Sequence, residues 1–361
     1  MPFDIDDRFA HVETQHQRRD RRLVAAWLFG ICAMLLVMIG LGGATRLTGS
    51  GLSIMEWAPI MGTLPPLSDA EWQRLFHLYQ AIPQYSLVNA GFGLDGFKHI
   101  FLLEYLHRLW GRLIGLGFAL PLLVFVWRRA IGRALWLRLA GLFVLGGMQG
   151  AVGWFMVASG FTGDSVSVSA YRLVAHLTLA LTLYAAILWT ALGVLRPRLS
   201  AVGTDVRAGL GLQRWLTVSC AMVAVTIVAG GFVAGLHAGF VYNTYPLMDG
   251  HLIPSSYAAL QPFARNLTEN LAAVQFDHRV LATLTALVVT ATAWAGLRPS
   301  VPGPVRAAAL AMGVAVGLQY ALGVATLLWV VPVTLGTMHQ VSAVLLLSAT
   351  LVACHLARRA G

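Results

Sequence analysis

Apolar residues gather in long runs along this chain, and polar residues collect between them. Eight runs reach the length of about 20 residues that a helix needs to span a hydrocarbon layer. They fall near 23–43, 99–127, 134–158, 170–195, 213–235, 270–297, 304–330 and 333–357, with Pro332 marking a tight turn between the last two. Two long polar connections stand out, 44–98 and 236–270. In the first, Ser68 and Glu71 form a capping box that predicts a short helix. Trp57, Pro65, Pro66 and Trp72 predict an ordered lid rather than a loose tether. Glu56 and Trp57 read as lid packing before substrate contact. In the second connection, Asn243, Tyr245 and Pro246 read as turn residues, with His237 close behind the fifth span. The pattern predicts an all-α integral membrane protein with eight transmembrane helices.

Composition agrees: 58% of the 361 residues are hydrophobic and 11% are charged, against roughly 25% charged in soluble domains. The net charge of +10 has the sign expected of a nucleic-acid binder, but its distribution argues against one. With an even number of spans both termini share a side. That side carries 17 of the 25 basic residues, the opposite loops five (Arg46, Arg74, Lys98, Arg172 and Arg265), and the spans three (Arg108, Arg112 and Arg279). This positive-inside bias places both termini in the cytoplasm of a bacterial inner membrane, multi-pass, with membrane lipid and no nucleic acid as surroundings. The first span lacks a small-residue cleavage site and is read as retained. Cys32, Cys220 and Cys354 lie in spans without a C-x-x-C pair, which excludes a zinc knuckle and leaves them as packed small residues.

The chain repeats itself. EYLHR at 104–108 is answered by QFDHR at 275–279, His176 by His339, Gln149 by Gln319, and Gly42-Gly43 by Gly230-Gly231. Four matches in the same order predict two pseudo-symmetric four-helix bundles in parallel. The expected boundaries are a cytoplasmic tail at 1–22, a first half at 23–197, a linker at 198–212 and a second half at 213–357.

Four of the 11 histidines fall inside spans: His107, His176, His278 and His339. They occupy spans two, four, six and eight at similar depth. A lone intramembrane histidine is most simply a helix-to-helix hydrogen-bonder. Two facing pairs in four-helix bundles instead suit two haem irons, whereas zinc or copper needs three or four protein ligands in one place.

The halves differ in charge. Glu104 aligns with Gln275, Arg112 with Thr283, Arg172 with Leu335 and Arg46 with Ala234; Arg108 and Arg279 are common to both. Glu104 shares a helix face with His107, so it has the placing to move protons or orient water beside a haem. Neutralising Arg108 one turn away is the simpler alternative. Arg46, Arg108, Arg112 and Arg172 are candidates to pair with haem propionates, or cations that snorkel to an interface. The residues thus point to a first site equipped for chemistry and a plainer second site suited to electron transfer or to structure.

The segments GGATRLTGSGLSIMEWAPIMGTLPP, FKHIFLLEYLHRLWGRLIG, QGAVGWFMVASG, YRLVAHLTLAL, GGFVAGLHAGFVYNTYPLM, VQFDHR and TLGTMHQ together resemble haem A synthase, in its proteobacterial and mitochondrial branch, over about 30–350. The resemblance implies an oxidoreductase of porphyrin biosynthesis and cytochrome oxidase assembly. Such enzymes oxidise the C8 methyl group of haem O to a formyl group, giving haem A for haem-copper terminal oxidases. It implies haem B as cofactor on His278 and His339, beside Arg279 and Gln275. It implies haem O as substrate on His107 and His176, with Glu104 as the glutamate of the family's E-x-x-H motif. Electron and haem handling by an external cysteine pair, found in another branch, does not carry over, since that pair is absent. A haem O synthase, an electron donor and a further copy of the chain are expected partners. The alternative is a di-haem membrane cytochrome b in quinol-linked electron transfer; a transporter built on the repeat fits less well, because the histidines sit away from the midplane.

Overall fold

The structure is a computed structural model that describes residues 14–58, 61–161, 163, 165–195 and 206–360. Regular structure among them is helical, apart from isolated bridge positions such as Met248 with His251. In chain order the helices are α1 (Gln15–Leu47), α2 (Asp69–Gln80), α3 (Pro83–Leu87), α4 (Leu94–Trp127), α5 (Arg133–Val157), α6 (Ala170–Leu195), α7 (Val206–Gly235), α8 (Asn266–Glu269), α9 (Leu271–Gly296), α10 (Gly303–Leu328) and α11 (Val333–Ala360). All but α2, α3 and α8 are long and apolar enough to cross a membrane, so the eight expected spans are all present.

Two helices run further than their apolar stretches. α1 starts at Gln15 because Thr14 closes a capping box with Gln17, so the later part of the expected polar tail is helical. Residues 1–13 lie outside the described residues. α4 starts at Leu94, which places His107 deeper from its helix start than the other three histidines. Of the expected linker, 198–205 lie outside the described residues and 206–212 belong to α7.

The chain divides into two compact units, one built on Gly30–Leu183 and the other on Tyr184–Gly361 with Arg21–Phe29. In the second unit α7 packs on α9 and α11, and α10 packs on the same two, closing a ring of four helices. Small and hydroxylated residues make this possible. Hydroxyl pairs join α7 to α9, Ser219 to Thr292 at 3.1 Å and Thr226 to Thr285 at 2.7 Å. Between apolar helices, hydroxyl bonding and close approach replace a hydrophobic drive that lipid cannot supply. In the first unit α4 packs on α5, and Trp110 Nε1 donates to the Met34 carbonyl of α1 at 2.8 Å.

The described residues of the connection 48–93 are ordered, as its aromatic content predicts. Ser68 caps α2 through the Glu71 amide. The fully enclosed Phe97 at the start of α4 meets the rings of Phe76 and Tyr79 at centroid distances of 5.3 and 5.4 Å. Tyr79 donates to Gln84 Oε1 and accepts from Asn89, and Gln84 donates in turn to the Gly49 carbonyl. Glu56 forms a two-pronged pair with Arg74 at 2.8 and 2.9 Å, and Glu71 binds the same guanidinium. Hydrogen bonding to Arg74 holds both carboxyls below the usual carboxylate range.

Phe97→Ala is expected to loosen this lid first, at a cost of about 3–5 kcal/mol. Limited proteolysis should then cut within 68–92 before any helix α4–α11 yields. Because the carboxyls of Glu56 and Glu71 are depressed, the Arg74 tie is present above the ordinary carboxylate range and is lost as pH falls through their lowered values. Acid should therefore raise proteolysis at the lid in the native chain and raise it less in Arg74→Ala, whose tie is already gone. These groups are exposed, so solvent screening should keep the change small.

Candidate functional site: two histidine pairs beside two inserted loops

Helix α4 presents Glu104, Arg108 and Arg112 at successive turns, and the chain following α1 runs down beside them. Glu104 is buried at 2% exposure and accepts five hydrogen bonds. One carboxylate oxygen takes the Ser53 amide (2.8 Å), the Ser53 hydroxyl (2.7 Å) and the Ile54 amide (2.9 Å). The other takes Arg108 Nε and Nη2 at 3.0 and 2.6 Å. Arg108 also donates to the carbonyls of Ile54 (2.6 Å) and Glu56 (3.0 Å). A further turn along, Arg112 donates to the Ala58 carbonyl at 2.7 Å. Contacts at 53–54, then 54–56, then 58 descend with α4 over roughly 12 Å, at 1.5 Å per residue. The loop therefore runs along a membrane-length helix, where its backbone polar groups need protein partners.

Helix α9 does the same for the chain after α7. Gln275, buried at 2%, donates to the carbonyls of Ala238 (2.8 Å) and Val241 (2.6 Å). Arg279 donates to Tyr242 (2.5 Å), Thr244 (3.0 Å) and the Gln275 side chain (3.1 Å). Where Arg112 stands in α4, α9 has Thr283, bonded to Tyr320 and through it to Tyr245. Glu104 and Gln275 thus hold equivalent loops in opposite senses, one by accepting from amides and the other by donating to carbonyls.

The four histidines are half-buried, and each ring lies against a glycine of the preceding transmembrane helix. A Cβ added at Gly42 would stand 3.0 Å from His107 Cε1, and one at Gly153 would stand 2.8 Å from His176. The figures are 3.0 Å at Gly230 for His278 and 2.8 Å at Gly323 for His339. Any side chain there would displace the ring. Gln149 Nε2 lies 3.1 Å from His176 Nδ1, and Gln319 Nε2 lies 3.2 Å from His339 Nδ1. Nδ1 of His107 and of His278 is enclosed without a full hydrogen bond. His107 and His176 are close enough to interact electrostatically, as are His278 and His339.

No group of three or more His, Cys, Asp or Glu among the described residues gathers as a metal site. A bare zinc or copper ion would lack protein donors. Paired, glycine-cradled imidazoles with unsatisfied ring nitrogens fit an iron that brings its own in-plane ligands, as in a haem.

The expected cations divide sharply. Arg108 and Arg112 spend donors on loop carbonyls, and Arg172 donates to the Phe155 carbonyl at 2.8 Å while its guanidinium lies 3.8 Å from that ring's centroid. Arg46 makes no side-chain hydrogen bond or ion pair among the described residues, although it is half-buried. It stands one turn beyond Gly42 on α1, on the face that carries the His107 ring. Its counterpart on α7 is Ala234. Trp57 of the loop meets Trp154 of α5 edge-on at 5.2 Å, and Arg108 lies 5.7 Å from the Trp154 ring centroid. His237 stacks on Phe240 within its own loop. Cys32, Cys220 and Cys354 are free thiols.

Sequence reasoning passed over Gly153, Gly323 and Ser342. A signal for the glycines was present: QGAVG at 149–153 and QYALG at 319–323 share the spacing Q-x-x-x-G, one helical turn.

The cytochrome oxidase assembly protein family matches residues 25–351. A "Heme A synthase" of Granulibacter bethesdensis is 60% identical over 345 residues, 96% of this chain and 90% of the relative. The "Heme A synthase" of Nitrosospira multiformis is 45% identical over 357 residues, 97% and 99% of the two chains. That of Nitrosomonas eutropha is 46% identical over 331 residues, 92% of each.

Gly153→Val should displace His176, and Gly323→Val should displace His339. Pyridine haemochrome spectra should show less haem in each purified variant than in the native chain. Glu104→Ala should leave the Arg108 cation unpaired, a loss of about 3–5 kcal/mol for a buried pair. The expected readout is new protease cleavage at 53–58.

Proposed function

The chain belongs to the cytochrome oxidase assembly protein family, and from that premise we propose that it is a haem A synthase, oxidising the C8 methyl group of haem O to a formyl group. The observation that carries this reading is the contrast between two like histidine pairs. Each has a glycine cradle and a glutamine, but only the first is joined by a carboxylate, Glu104, and an uncommitted cation, Arg46.

In this reading His107 and His176 hold substrate haem O, and Arg46 meets a propionate as a charge-assisted pair. Arg108 and Arg112 serve the site by holding 54–58 in place, and Arg172 by bracing the start of α6 against α5. Glu104 acts first as the clamp that keeps Ser53 and Ile54 against α4. With the clamp open, its carboxylate is the group placed on the His107 face to take or pass a proton. The loop with Trp57 and Trp154 excludes water. His278 and His339 hold haem B, next to the loop fastened by Gln275 and Arg279; that group supplies one-electron transfer. The arginine bias puts both termini in the cytoplasm of a bacterial inner membrane and both inserted loops on the far side. A haem O synthase would supply the substrate, and a separate electron donor would serve the second half.

The test is extraction of the purified protein with acidified acetone and identification of the released haems by mass. Haem B with haem O, haem A or an oxidised intermediate is the expected result. Two haem B per chain and nothing else, from cells that make haem O, would instead establish a di-haem electron-transfer cytochrome. Glu104→Gln should keep haem B and lose haem A formation by at least about tenfold. Arg46→Ala should weaken haem O retention by a similar factor, as expected for a lost charge-assisted bond.

A further inference from the structure

His176 and His339 differ in what their glutamines allow. Gln149 Nε2 approaches His176 Nδ1 at 3.1 Å, with Nε2 of the ring farther at 3.4 Å, and the His176 carbonyl at 3.0 Å. Turned over, the amide would set its oxygen against that carbonyl, acceptor facing acceptor. The present amide oxygen is enclosed and has no partner, so nothing there would receive the amide N–H. Gln149 is therefore locked with its nitrogen toward the histidine. The ring accepts this N–H at Nδ1 or, less closely, at Nε2; a ring that gave Nε2 to iron would carry its proton on Nδ1 and have no lone pair left for the amide.

At His339 the network closes differently. Gln319 Nε2 lies 3.2 Å from Nδ1, its oxygen is bonded to the Ser342 hydroxyl, and Ser342 donates to the His339 carbonyl at 3.1 Å. A hydroxyl both donates and accepts. Turning this amide over keeps every bond: Nδ1–H to the amide oxygen, amide N–H to Ser342, Ser342 O–H to the carbonyl. The Nε2 lone pair is then free for iron. The residue of α6 that corresponds to Ser342, three beyond the histidine, is Leu179.

We propose that Gln149 is a positioning residue whose amide N–H occupies the His176 ring as a hydrogen-bond acceptor, making His176 the readily released ligand of the substrate haem, whereas Gln319 with Ser342 fits His339 for a resident haem. This rests on the assignment of His107 and His176 to the substrate. Binding iron through His176 requires Gln149 to give up its bonds, which lowers affinity about tenfold for one hydrogen bond of ordinary worth. A site that takes in one haem and lets out another needs such a ligand.

The test uses the full chain in detergent, loaded with haem O without oxygen, and follows haem transfer to excess apomyoglobin. Leu179→Ser, which supplies the missing hydroxyl, should slow haem O release about tenfold. It should also lower that haem's midpoint potential, because a more basic imidazole favours ferric iron. The haem B spectrum of the second half, unchanged, reports intact folding. Ser342→Ala should do the converse and speed haem B loss. Wild-type release and potential in Leu179→Ser, or wild-type haem B release in Ser342→Ala, would overturn the proposal while His176→Ala still loses the substrate haem. Retention of haem O by His176→Ala would overturn the substrate assignment itself and the proposal with it.

Discussion

Backbone that runs beside a membrane-length helix must find its hydrogen bonds inside the protein, and that constraint shapes both halves of this chain. The ion pair of Glu104 with Arg108 meets it in the first half: five donors converge on the carboxylate, and the arginine returns bonds to Ile54 and Glu56. Gln275 and Arg279 meet it in the second. An arginine in an apolar span is costly alone. Here its donors answer carbonyls that would otherwise be orphaned, so two liabilities cancel. The loops so fastened then lie along the helices that carry His107 and His278.

Glycine sets the other close approach. Each of the four rings occupies space that a side chain on the neighbouring helix would fill, and the distances, 2.8 to 3.0 Å, leave no room even for alanine without movement. Glycine weakens a helix, yet these helices tolerate it because their backbone bonds have no water to exchange with. The glutamines one turn away add direction to that space by facing Nδ1 of His176 and His339. A metal group on these rings would meet backbone geometry on one side and the glutamine amides on the other.

Upon this shared framework the first half carries a carboxylate and cations at positions where the second has neutral residues. The difference is concentrated in few positions: Glu104 against Gln275, Arg46 against Ala234, and Leu179 against Ser342. The first adds a carboxylate beside His107, the second an uncommitted cation one turn away, and the third changes what the glutamine can do. On the proposed function, one scaffold serves a reacting haem and an electron-supplying one by substitution at the rim of each site rather than by a change of fold.

Much of this was legible in the sequence. Apolar runs of spanning length determine the eight helices directly, because backbone in lipid has no alternative to helix at that length. The internal repeat and the four intramembrane histidines followed from spacing alone, as did the cap at Ser68. The partners of the arginines did not. Charge and the comparison of the two halves single out Arg46, Arg108, Arg112 and Arg172 as candidates for haem propionates, but only the path of 53–58 beside α4 shows that two of them are spent on its carbonyls. The glycine cradles stayed hidden for the same reason: which residue faces a ring depends on how two helices approach, not on either helix. Sequence determined which groups enter the membrane; tertiary structure decided which of them remain free, because hydrogen bonds between distant segments are made only once the chain has packed.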